Sequence, residues 1–134
     1  MKKEVFLDLN KVKLYGYEPA KSDKVIESII KGIFFGDKFP AVDVYEVNPD
    51  ELLLLRPDGG HCRAIGHDIE NQPLRTNVWD SRDEKTIHYN GQPVIDFVKL
   101  DWPHRILIGD IALVDDKLMV DNLEHRKRTR KNYR

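Results

Sequence analysis

Apolar residues recur along this chain at two spacings, and the changes from one to the other mark out its elements. Val5, Leu7, Leu9, Val12 and Leu14 alternate imperfectly with polar residues, which predicts a first strand over 5–14 running into the irregular segment Tyr15-Gly16-Tyr17-Glu18-Pro19. Val25, Ile26, Ile29, Ile30 and Ile33 then fall three and four apart. That spacing gathers them on one face of a helix over 22–35, with Ser22 as N-cap and Asp23 in the first turn. After Gly36 the β-branched Val42, Val44 and Val47 predict a strand over 41–47. Asn48-Pro49-Asp50 is turn chemistry, and the unbroken run Leu52-Leu53-Leu54-Leu55 reads as a buried strand over 51–56, so the two form a hairpin.

Pro57-Asp58-Gly59-Gly60 ends that strand, and Ala64, Ile65 and Ile69 give a core face to a helix over 60–70. A further strand is expected over 74–79. Asn90-Gly91 is the strongest short hairpin signal in the chain and predicts strands over 86–89 and 93–97. A last hairpin is expected around Asp115-Asp116, from 106–114 and 117–120. The pattern amounts to an α/β (α+β) fold: one domain over 1–124, a mixed sheet with two main helices, and a C-terminal half built of β-hairpins.

Composition narrows the classes. A length of 134 residues with 40% hydrophobic content suits one domain with a single core. No apolar run approaches the roughly 20 residues that span a bilayer, and the basic N-terminus lacks the apolar stretch of a secretory leader. A cytoplasmic protein is expected, with no membrane partner. The single cysteine, Cys62, excludes an internal disulfide, and the five scattered histidines show no zinc-ligand spacing.

The near-neutral net charge of -1 conceals an uneven distribution. Six of the last nine residues are basic: Arg126, Lys127, Arg128, Arg130, Lys131 and Arg134. Without them, 16 Lys and Arg face 23 Asp and Glu, so residues 1–125 carry -7. Residues 125–134 read as a solvated, disordered tail or as an arm that binds nucleic-acid phosphates by counterion release, with membrane-surface attraction a minor third reading because no lipid anchor or amphipathic helix accompanies the charge.

The turn Asp58-Gly59-Gly60-His61-Cys62-Arg63 carries the candidate chemistry. A buried strand that ends in two glycines and opens a helix aims backbone amides and the positive end of the helix dipole at one point, which suits a phosphate. Gly59 and Gly60 permit positive φ or close approach of a ligand, and His61 and Arg63 can donate further hydrogen bonds. The spacing is neither a Walker A loop nor a dinucleotide fingerprint. A glycine turn required only by sterics would leave the same pattern. Cys62, beside a helix N-terminus, is either an inert packing residue or an activated thiol.

The order of segments, with Asp58, Gly59 and His61 at the head of the second helix, resembles the ParB/sulfiredoxin superfamily over about Val5 to Trp79. Where that family has Arg after the His, this chain has Cys62, with Arg63 one residue later and about 100° further round the helix. The resemblance implies a nucleotide site, for ATP or CTP with Mg²⁺, at Gly59, Gly60, His61, Cys62 and Arg63. Taken together with the cationic tail, which would touch DNA phosphates, it points to DNA as a partner, and a homodimer is compatible with it. If phosphodiesters or nucleoside triphosphates are hydrolysed, Asp58 and Glu18 are the candidate catalytic residues, with Asp58 as metal ligand. Relatives also include free-serine kinases, in which Glu18 would accept a hydroxyl proton, and sulfiredoxins, whose cysteine precedes the histidine. A module that keeps the fold without the chemistry is the other alternative.

Overall fold

A computed structural model describes residues 3–21, 23–56, 59–83 and 88–113. The chain forms β1 (Lys3–Leu7), β2 (Lys13–Gly16), β3 (Ala20–Lys21), α1 (Asp23–Phe34), β4 (Val42–Asn48), β5 (Glu51–Leu54), α2 (His61–Ile69) and β6 (Leu74–Trp79). There follow β7 (His88–Tyr89), β8 (Gln92–Pro93), α3 (Val94–Asp101), β9 (Ile106–Leu107) and β10 (Ala112–Leu113). Six strands make one mixed sheet in the order β1-β6-β4-β5-β2-β9. β4 runs parallel to β6 and antiparallel to β5, while β2 runs parallel to β5. The mixed α/β class expected from the sequence is therefore present.

The leucine run sets the layering. Successive side chains on a strand point to opposite faces, and Leu52, Leu53, Leu54 and Leu55 are all buried, at 4%, 1%, 1% and 3% exposure. Leu52 and Leu54 join the larger core with Ile26 of α1 and Ala64, Ile65 and Ile69 of α2. Leu53 and Leu55 join a second core with Tyr45, and with Val94 and Val98 of α3. At about 1.5–3 kcal/mol for each fully buried leucine, neither face can be left to solvent. Helices consequently cover both.

Three expectations are corrected. The first strand over 5–14 is two strands, because Asp8 builds a turn between them: its Oδ1 accepts from the Asn10 N–H at 3.0 Å and its carbonyl from the Lys11 N–H at 2.9 Å. β1 lies at one edge of the sheet against β6, and β2 lies between β5 and β9. The Asn90-Gly91 turn forms, with φ of 51° and 77°, but the strand expected over 93–97 stops at Pro93. Val94 and Val98 are four apart and both buried, so the segment is helical and covers the Leu53 face. The strand expected over 106–114 is broken by a 3₁₀ turn at Ile108–Asp110. β9 pairs with β2 and β10 runs parallel to β3. The 117–120 half of that hairpin, and the tail, lie outside the described residues.

The head of α2 depends on one glycine. Gly60 has φ 71° and ψ 18°, and a Cβ there would stand 2.5 Å from Val42 Cγ1. Gly36 has a comparable φ of 79° but open space around it. Gly36→Ala is expected to cost about 1–2 kcal/mol for the left-handed backbone alone. Gly60→Ala should cost about 1–3 kcal/mol more because the methyl also overpacks Val42. Urea denaturation of the two variants measures the difference, and equal losses would remove the Val42 contact from the account.

Candidate functional site

β2, β3 and α2 meet at the Gly59-Gly60 turn. Gly59 and Gly60 both adopt left-handed backbone, with φ of 67° and 71°, immediately before the first turn of α2. His61 opens the helix and is only 4% exposed. Its ring lies against Gly16, where a Cβ would stand 2.5 Å from His61 Cδ2. Its Nε2 accepts the Tyr17 N–H at 3.0 Å, which leaves the proton of the neutral ring on Nδ1. Tyr17 also packs edge-on against the ring, with centroids 4.5 Å apart. Burial, and secondarily the charge of Lys21, push the His61 pKa down to about 4.

Lys21 is the residue that sequence reasoning did not find. Pairing of β3 with β10 fixes its backbone opposite Leu113, and its side chain is 9% exposed. Burial lowers its pKa, while the nearby Cys62 acts in the opposite direction. A buried ammonium at the positive end of α2 is electrostatically unfavourable and calls for negative charge. Glu18, on the same short segment, supplies some by an ion pair with Lys21 from a half-exposed position. No residue-type signal marks Lys21 in the sequence. It reaches the site only because a two-residue strand pairs with β10, near the end of the described chain.

A second arrangement steadies Tyr17 from the far side. Arg56 binds Asp101 of α3 through two hydrogen bonds of 2.9 and 2.8 Å. Its guanidinium lies 4.9 Å from the Tyr17 ring centroid and 5.8 Å from that of Phe97. Those bonds hold the Arg56 pKa above its ordinary value. α3, the helix missed from sequence, is thereby tied through Arg56 and Tyr17 to His61.

The expected site residues are placed as follows. Gly59, Gly60, His61 and Cys62 stand together at the head of α2, with Glu18 joined to them through Lys21. Cys62 is half-buried. Arg63 belongs to the same turn, but its Nη1 donates to the Pro40 carbonyl at 2.9 Å, on the segment leading into β4. Asp58 and all six basic tail residues, Arg126, Lys127, Arg128, Arg130, Lys131 and Arg134, lie outside the described residues. Among those described, no three His, Cys, Asp or Glu side chains are grouped to hold a metal ion. No described helix is long and apolar enough to cross a membrane. No family model, curated protein or solved structure matches the chain.

The buried imidazole makes stability depend on pH. The folded His61 ring takes up a proton only near pH 4, whereas an unfolded one does so near 6.5, so between these values the unfolded state binds more protons. Stability is expected to fall as pH drops from 6.5 to 4, by about 3 kcal/mol from His61. The lowered pKa of His67 adds in the same direction. His61→Gln, which keeps an acceptor for the Tyr17 N–H, should flatten the profile in urea titrations at pH 7 and 4.5. An unchanged profile would assign the loss to other groups.

Proposed function

We propose that this chain is a ParB-like domain that binds a nucleotide through its phosphate groups and works with DNA. The observation that carries the reading is the pair of left-handed glycines at the head of α2 with the buried Lys21 beside His61 and Cys62. A phosphate there would meet a helix N-terminus and a lysine whose present counter-charge, Glu18, is half-exposed and displaceable. Mg²⁺ would arrive on the phosphate oxygens, since Mg²⁺ is commonly held by one or two carboxylates together with substrate phosphates. Glu18 and Asp58 are the candidate carboxylates. His61 serves as a strut, because its ring is committed to the Tyr17 amide.

A second reading is favoured by the position of Glu18 beside Lys21. In a small-molecule phosphotransferase, Glu18 would accept the proton of the attacking hydroxyl while Lys21 steadied the transferred phosphate. Glu18→Gln should abolish transfer from ATP to a hydroxyl acceptor under this reading.

Two measurements test the proposal. Calorimetric titration with ATP, CTP and GTP, each with and without Mg²⁺, should show binding of one nucleotide. Lys21→Met should weaken that binding by about tenfold or more, the loss of one charge-assisted hydrogen bond. Absence of binding by the folded chain would overturn the reading. For the tail, replacing the six basic residues 126–134 with Ser should lower duplex-DNA affinity and make the slope of log K against log salt shallower by about 5. An unchanged slope would exclude the tail from DNA binding.

A further inference from the structure

At the other end of α2 lies a groove of about 530 Å³, bordered by the end of α1, the 36–39 segment and the β1–β6 edge of the sheet. That volume is within the range of sites for small organic ligands. Its apolar walls are Phe6, Ile33, Phe39 and Pro73, and its charged residues are Glu4, Arg75, Asp37 and Lys38. Arg75 binds Glu4 at 2.8 Å, and the four charges sum to zero. Phe39, half-buried, approaches α1 closely because Gly32 leaves room; a Cβ there would stand 2.7 Å from Phe39 Cζ.

One polar group in this wall is built in. His67 is 7% exposed and packs edge-on against Phe39, with centroids 5.4 Å apart. Its Nδ1 lies 2.6 Å from the Arg63 carbonyl oxygen. A carbonyl can only accept, so Nδ1 carries the proton and Nε2 presents a bare lone pair. Nε2 hydrogen-bonds to no described residue, and it is not sealed from solvent. His67 is among the residues that line the groove.

We propose that this groove is a second binding site, distinct from the turn at the head of α2, for a small uncharged planar aromatic molecule bearing a ring N–H or O–H donor, of the indole or phenol class. The flat body would lie between Phe39 and Phe6 and bury apolar surface. Its donor would replace water on His67 Nε2. The balanced charges of the lining favour an uncharged ligand over an ion, and the fixed tautomer favours a donor over an acceptor. A molecule of the same shape without the donor would leave a nine-tenths buried acceptor dry, which costs about 1–3 kcal/mol.

The test uses the full chain with indole and 1-methylindole, which differ at the donor. In imidazole ¹⁵N spectra, indole should move the Nε2 resonance of His67 and leave that of His61 in place. Calorimetry should show indole bound about tenfold more tightly than 1-methylindole, or about 1.4 kcal/mol. His67→Phe keeps the ring and removes the acceptor, so it should erase that preference. Equal binding of the two probes by wild type, or binding that leaves His67 Nε2 unmoved, would overturn the proposal, and neither result depends on the variant folding.

Discussion

Four consecutive leucines that must all leave water are the constraint on which this fold rests. A strand can bury adjacent residues only if both its faces are covered, so β5 belongs in the interior of the sheet with helices above and below. α1 and α2 supply one cover and α3 the other. The same requirement makes α3 more than a lid. Having been drawn onto the Leu53–Leu55 face, it brings Asp101 to Arg56, and Arg56 reaches Tyr17. Packing on one side of the sheet thus positions a ring that supports a histidine on the other.

At the head of α2 the electrostatic and steric demands conflict, and small residues resolve the conflict. Gly60 lets the chain pass over Val42, Gly16 makes room for the His61 ring, and His61 spends its acceptor on the Tyr17 amide. What remains beside the turn is positive: the end of a helix dipole and a lysine shielded from water. Glu18 offsets that charge from a half-exposed position.

Much of this was legible in the chain. The helical spacing of Ile26, Ile29 and Ile33, the valines of β4 and the unbroken leucines of β5 each state a local preference that tertiary structure keeps. So does the glycine turn, because paired glycines between an apolar strand and a helical pattern have few other uses. Failures arose where a short element takes its identity from a distant neighbour. Val94 and Val98 could suit either period until the otherwise uncovered Leu53 face chose the helix, and Val5 and Leu7 on one side of the Asp8 turn are out of phase with Val12 and Leu14 on the other, a shift that passes for an imperfect alternation. Lys21 is the sharpest case: its role depends on a strand pairing with residues more than ninety positions away.

The sheet has two unequal edges. β9 is two residues long and gives little template for another strand, whereas β1 presents five, with Lys3, Glu4 and Phe6 exposed. Charged Lys3 and Glu4 on β1 are the kind of residue that discourages indiscriminate strand pairing at an edge. Among the described residues, the longer template for strand pairing therefore lies at β1, and the opposite edge offers only the two residues of β9.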